Sequence, residues 1–311
     1  MGEEHAAAEQ DGRGTYRMMT TTKGRRRRRR MSLPLALLAC IVTSYQPTTA
    51  FNTLSDGSLR RLAEASSLSY LEMDRMPSSP YRVTCELEAM TQVVDDQTES
   101  GATVFRDESS NTIVVACRGS ANIKNFSTNL KFDLVPATRL SQTNMPPTAR
   151  VHKGFQDASL GLWKVLSQPL LDEVRRLDSP SVIFTGHSLG GATALLCATH
   201  YTASTDDRPT VVTFGGPRLC NADLARFIRN EALQGCDVLH LVHSKDPILS
   251  NNQKLWDQMG FENVGVELEC DPFQPTVFSK ETPVKRNPFS IAWNMLDHCN
   301  YLGVFVGPRV V

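Results

Sequence analysis

An α/β fold, with a mainly parallel central sheet flanked by helices, is predicted by three observations. Short apolar runs at Val182–Thr185, Thr210–Phe214 and Val238–Val242 alternate with helical segments, the pattern of strands joined by crossover helices. The first run leads through Gly186-His187-Ser188-Leu189-Gly190 into the small-residue helical stretch Gly191–Leu196, a strand, a sharp turn and a helix. No linker-like segment divides 51–311, so that whole stretch reads as one domain.

The elements follow in chain order. Leu59, Leu62, Ala65, Leu68 and Leu71 recur at helical period and predict a helix over 58–72. Val104–Arg106 and Thr112–Cys117 predict two strands around the polar turn Glu108-Ser109-Ser110-Asn111. A long helical pattern covers 155–177, with Pro169 expected to kink it. After the three strands named above, Val264–Glu269 predicts a further strand, and 290–298 a closing helix or turn.

Residues 1–50 are set apart by composition. They carry 9 Lys/Arg against 4 Asp/Glu, which leaves 24 basic and 29 acidic groups on 51–311, a net of −5. An acidic body argues against nucleic acid as a partner. The run Arg25–Arg30, the apolar stretch Leu33–Val42 and the small residues before Phe51 have the order of a secretory signal peptide, with Met31 a second candidate start. The apolar stretch is too short to span a membrane as a helix. Phe51, directly after the expected cut, also resembles the plastid presequence of algae with complex plastids. Segment 1–50 is therefore expected to direct export or endomembrane entry, with plastid import as the alternative.

Eight cysteines are present, and Cys40 would leave with the signal. Cys117 and Cys197 sit in apolar contexts that predict buried thiols. Cys85, Cys220, Cys236, Cys270 and Cys299 are the candidates for bridges. No spacing matches a zinc site, and no cofactor or metal is expected.

The turn around Ser188 carries the chemistry. Glycines at 186 and 190 permit close packing at a strained turn that lifts a serine hydroxyl above the sheet. A serine needs a base to take its proton and an acid to orient that base. In such sheets these follow the nucleophile in the order acid, then histidine. His200 lies on the departing helix about three turns away, and His240 and His243 precede the best acid, which leaves His298. Asp206, Asp207 and Asp237 fall at the wrong edge of their strands, and Asp297 is too close to His298 in sequence. Asp246, shortly after the 238–242 strand and followed by Pro247, is the expected acid, with Asp271 the runner-up. The Leu189 N–H and Ser120, after the strand ending at Cys117, are the expected oxyanion donors.

Taken together, Val114–Ser120, Val151–Phe155, Thr185–Ala192, Thr213–Arg218, Asp246-Pro247 and Asp297–Tyr301 resemble the class 3, fungal-type triacylglycerol lipases of the α/β-hydrolase fold, in family order across nearly all of 60–305. The resemblance implies Ser188 as nucleophile, Asp246 as acid, His298 as base, and Ser120 with Leu189 as the oxyanion hole. It implies structural roles for His187 and His152. It also implies a short helical lid over Ala121–Phe132, where Ile123, Phe126 and Leu130 fall on one face, at i, i+3 and i+7. The sequon Asn125-Phe126-Ser127 lies within it and is expected to stay unglycosylated. The sequence departs from the family after Asp246-Pro247, where Ile248-Leu249-Ser250 replace an expected second proline, and in extra residues around 252–262 and 271–289. The expected activity is hydrolysis of glycerolipid acyl esters by a monomer at a lipid–water interface, with peripheral membrane or lipid-droplet contact. Phospholipase, galactolipase and feruloyl-type esterase activities, or a non-catalytic lipid-binding scaffold, are the alternatives.

Overall fold

The computed structural model describes residues 54–78, 86–120, 133–140, 144–243, 246–278 and 297–308. The segment 1–50, the lid positions Ile123, Phe126 and Leu130, the sequon, Cys40, Cys85 and most of 290–298 lie outside the described residues.

Five α-helices and fourteen strands follow in chain order among the described residues. Helix α1 (Asp56–Leu68) begins at Ser55, whose side chain accepts from the Ser58 N–H. It ends at Leu68, so Leu71 falls beyond the predicted stripe's helix. Strands β1 (Glu88–Val94), β2 (Gly101–Asp107) and β3 (Thr112–Cys117) form an antiparallel meander. The short strands β4 (Leu134–Pro136) and β5 (Arg150–His152) precede helix α2 (Lys153–Arg176), which runs through Pro169 without ending. Strand β6 (Ser181–His187) leads into helix α3 (Leu189–Thr202). After β7 (Thr210–Phe214) and β8 (Cys220–Asn221) comes the short helix α4 (Ala222–Phe227). Strand β9 (Val238–Val242) is followed by helix α5 (Pro247–Gln258) and β10 (Phe261–Glu262). Strands β11 (Val266–Cys270), β12 (Val277–Phe278), β13 (Asn300–Tyr301) and β14 (Val304–Phe305) close the chain.

The central sheet has eight strands in the order β1-β2-β3-β6-β7-β9-β11-β12. Its middle, β3-β6-β7-β9-β11, is parallel, and antiparallel strands finish both edges. The α/β architecture read from the sequence is thus the one observed. The 264–269 strand begins two residues later than expected, at Val266.

Alternation along each strand builds two cores. Ile113, Val115, Cys117, Val182, Phe184 and Val211 face α2 and α3, which supply Phe155, Leu162, Leu166 and a row of alanines. Val114, Ala116, Val212, Leu239 and Leu241 face the opposite way, onto Leu59, Leu62 and Leu68 of α1 and Leu302 and Val304 of the C-terminal hairpin. Helix α3 is buried from Gly190 to Tyr201 on every side, which its small side chains allow. None of the six described cysteines forms a disulfide, and all six, Cys117, Cys197, Cys220, Cys236, Cys270 and Cys299, are buried. The four bridge candidates among them are therefore corrected to buried core residues outside any disulfide.

Candidate active site

Ser188 occupies the single residue between β6 and α3, at φ 56° and ψ −127°. A residue with a Cβ is held there only when its surroundings impose it, at a cost on the order of 1–3 kcal/mol. The neighbours do impose it. A Cβ on Gly186 would overlap the Gly190 carbonyl and lie 2.9 Å from the Cys117 oxygen. A Cβ on Gly190 would overlap that same Cys117 oxygen and lie 2.8 Å from the Gly119 nitrogen. The two glycines let the turn close onto the exit of β3. The Ser188 N–H donates to the Phe214 carbonyl at 3.0 Å, tying the turn to β7.

At a helix start a serine hydroxyl ordinarily caps the free N–H groups. Ser188 makes no such cap, and its Oγ is buried without a hydrogen-bond partner among the described residues. Its hydroxyl is left uncommitted beside the positive end of α3.

Asp246 lies after β9, at the same carboxyl edge of the sheet, and caps α5: its Oδ1 accepts from the Ile248 and Leu249 N–H groups at 2.9 and 3.2 Å. Pro247 at the first helical position fits this start. Ile248 and Leu249, which follow Pro247, supply these N–H groups. Oδ2 accepts from His298 Nδ1 at 2.8 Å and from the Tyr301 hydroxyl at 2.5 Å. Burial alone would raise the Asp246 pKa. The charge and hydrogen bond of His298, with His243 and Tyr301 behind them, outweigh it and hold the carboxyl down at about 2. His298, on the single turn Asp297–Cys299, is fully buried. Because Nδ1–H is given to Asp246, Nε2 is the acceptor nitrogen. Nε2 has no hydrogen-bond partner among the described residues. Ser188 Oγ and His298 Nε2, the two atoms between which a proton would pass, are both buried and do not hydrogen-bond each other in this structure. The His298 ring nevertheless lies 4.6 Å from that of His187, the residue before Ser188.

Ser120 and Leu189 lie one residue either side of the Gly119–Gly190 contact, and both are half-buried. Leu189 is the first residue of α3, so its N–H lacks an intrahelical acceptor. The acid runner-up, Asp271, is used otherwise: it accepts from the Phe273 and Gln274 N–H groups. His152 caps α2 and stacks on Phe155, and His240 meets Thr213 at 2.7 Å, so both are structural. His200 stacks on Trp163 away from the turn.

Two tyrosines that no sequence pattern marks, and His243, complete the site. Tyr301 donates to Asp246. His243 is buried against the Tyr301 ring at 4.8 Å, and burial lowers its pKa. Tyr70, past the end of α1, meets His187. Tyrosines have no period or spacing that marks such contacts, so only the fold reveals them.

A model of the class 3 lipase family, "Lipase (class 3)", matches residues 114–251, which span β3, the Ser188 turn and Asp246. Over that stretch the chain is similar to the class 3 lipases. It is 29% identical over 218 residues to a lipase of Rhizomucor miehei, covering 67% of this chain and 57% of that protein. It is 28% identical over 252 residues to "Phospholipase A(1) DAD1, chloroplastic" of Arabidopsis thaliana, covering 68% and 54%. The chain thus spans little more than half the length of these curated relatives. The solved Rhizomucor miehei triacylglyceride lipase superposes with a TM-score of 0.66 at 24% identity, over 85% of this chain and 98% of that one, which shows the shared α/β-hydrolase fold.

Proposed function

We propose that the protein is a serine carboxylic-ester hydrolase that cleaves acyl esters of glycerolipids, triacylglycerols first among them. The observation that carries this reading is the buried Asp246–His298 pair, whose imidazole packs 4.6 Å from the ring of His187, the residue before an uncapped, strained serine.

In this mechanism Ser188 Oγ attacks the ester carbonyl and His298 Nε2 takes its proton. Asp246 stabilises the resulting imidazolium through the Nδ1 hydrogen bond. The Leu189 N–H and Ser120 receive the oxyanion. The tetrahedral intermediate expels the alcohol, which takes the proton back from His298. Water, deprotonated by His298, then attacks the acyl-serine, and the leaving Ser188 Oγ takes that proton from His298 as the fatty acid is released. The chemistry needs no metal or cofactor.

Ser188 is fully buried, so a substrate requires an opening above it. In the proposed account the segment 121–132 is the lid, and Ile123, Phe126 and Leu130 meet the lipid when it opens. The protein acts as a monomer at a lipid–water interface, exported or carried into the endomembrane system by segment 1–50. Phospholipid is the second reading, supported by the likeness to the chloroplastic phospholipase A(1). Plastid import is the matching destination.

A panel of mono-, di- and triacylglycerols, phosphatidylcholine and galactolipid, each offered dissolved and emulsified, tests the reading. Hydrolysis of neutral acylglycerols that rises sharply in the emulsified state is expected. Absence of ester hydrolysis across the panel would overturn the assignment, and turnover of phosphatidylcholine alone would replace it with the second reading.

A further inference from the structure

Tyr70 has no part in the mechanism above, yet its hydroxyl stands where the pieces of the site meet. Tyr70 Oη lies 3.0 Å from His187 Nδ1, and His187 Nε2 lies 2.8 Å from the main-chain oxygen of His298. A carbonyl only accepts, so Nε2 carries the proton, Nδ1 accepts, and Tyr70 donates. Burial, with the nearby His298 second, drives the His187 pKa down to about 3, so the ring stays neutral. Burial also raises the Tyr70 phenol far above its ordinary value and keeps it a donor. On its other side the hydroxyl packs against Gly119, just before Ser120, where an added Cβ would overlap it.

His298 needs such an anchor. It sits on one 3₁₀ turn, Asp297–Cys299, too short to fix its own main chain. Helix α1 already grips the chain beyond it: Arg60 Nη1 donates to the Leu302 carbonyl at 2.9 Å and Ser67 Oγ to the Phe305 carbonyl at 2.7 Å. The Tyr70–His187 link extends this grip to His298 itself.

We infer that Tyr70 is a positioning residue: acting through His187, it fixes the main chain of His298, and so its imidazole, relative to Ser188 and the Ser120 loop. The inference rests on the roles of Ser188, His298 and Asp246 proposed above. A misplacement of about 1 Å at reacting groups can cost on the order of 100-fold in rate.

Three variants of the full chain separate this from simple packing. Tyr70→Phe keeps the ring and removes the donor. His187→Gln keeps one donor and one acceptor, and His187→Leu keeps neither. Each is measured for kcat and KM on a dissolved p-nitrophenyl butyrate, for the rate of organophosphonate labelling at Ser188, and for Tm. Tyr70→Phe is expected to lower kcat and the labelling rate about tenfold, the worth of one hydrogen bond, with KM within about twofold. His187→Leu is expected to lose at least as much, and His187→Gln to recover most of it. In the His187→Leu background, Tyr70→Phe is expected to add nothing, because both act through one link. The inference is overturned if Tyr70→Phe changes only Tm or KM, or if the two losses multiply. If Tyr70→Phe does not fold, equal rates for His187→Gln and His187→Leu overturn it. A wild-type chain that neither hydrolyses esters nor labels at Ser188 is a different failure, that of the proposed hydrolase activity.

Discussion

Tyr301 donates its hydroxyl at 2.5 Å to Asp246 Oδ2, the same oxygen that receives His298 Nδ1 at 2.8 Å. The carboxylate is thereby held by four donors, two main-chain and two side-chain, with no contact to solvent. The tyrosine orients the acid as the acid orients the histidine. Tyr301→Phe is expected to lower kcat by about 10- to 100-fold, the effect of one hydrogen bond to a charged group. Asp246→Asn, which leaves the histidine in the wrong tautomer, is expected to lower it about 10³- to 10⁴-fold. Steady-state kinetics on a dissolved ester check both.

Ser188 is costly to keep. Its hydroxyl is buried without a hydrogen-bond partner among the described residues, and removing such a group returns about 1 kcal/mol. Ser188→Ala is therefore expected to abolish hydrolysis while raising Tm by about 2–4 °C for a domain of this size. Differential scanning calorimetry of the two proteins decides it. A lower Tm for the alanine variant would mean that the hydroxyl has a partner the structure does not reveal.

The turn that carries Ser188 tolerates no Cβ on either side. Gly186→Ala and Gly190→Ala would each drive a methyl group into rigid main chain, and both are expected to cost about 3 kcal/mol or more or to abolish soluble expression. Gly57→Ala in α1 meets only the Ser55 hydroxyl at 3.6 Å and should be neutral or stabilising by about 0.5–1 kcal/mol. Urea titration of the three variants distinguishes the two cases.

Acid should destabilise the fold through its buried imidazoles. Burial lowers the pKa of His200 to about 4 and that of His187 to about 3, and it lowers that of His243 as well. The unfolded chain takes up protons at these rings below about pH 6.5, whereas the folded chain stays neutral there. The unfolded state then binds more protons, so stability falls as pH drops from about 6.5 towards 4. Asp246 adds a second loss at lower pH: its folded pKa of about 2 lies under the ordinary carboxylate value, so its contribution disappears as pH falls through that range. His200→Phe, which preserves a ring against Trp163, is expected to flatten the fall in Tm between pH 7 and 5. A Tm that is level between pH 7 and 5 in the wild type would contradict this account.

Much of this was legible in the sequence because local chemistry forced it. The strands at 182–185, 210–214 and 238–242 are apolar on both faces, as strands covered by helices must be, and they appear where expected. The glycines around Ser188 and the cap at Asp246 are also local, and each marks a backbone with few alternatives. What was not legible depends on segments far apart in the chain. Tyr70 meets His187, and Tyr301 meets Asp246, only after the sheet has formed. The bridge candidates misled for the same reason. A cysteine count gives no distances, and Cys220, Cys236, Cys270 and Cys299 are buried outside any disulfide. Helix α2 passes Pro169 because its apolar face remains packed along the sheet, which outweighs one missing main-chain hydrogen bond.

The most direct test of the account is to treat the purified protein with a fluorescent alkyl phosphonate and locate the adduct by mass spectrometry. One adduct per chain is expected, on Ser188, lost in Ser188→Ala and formed at least about 10³ times more slowly in His298→Ala. No adduct on Ser188, or labelling of His298→Ala at the wild-type rate, would contradict the claim that these two residues form one nucleophile.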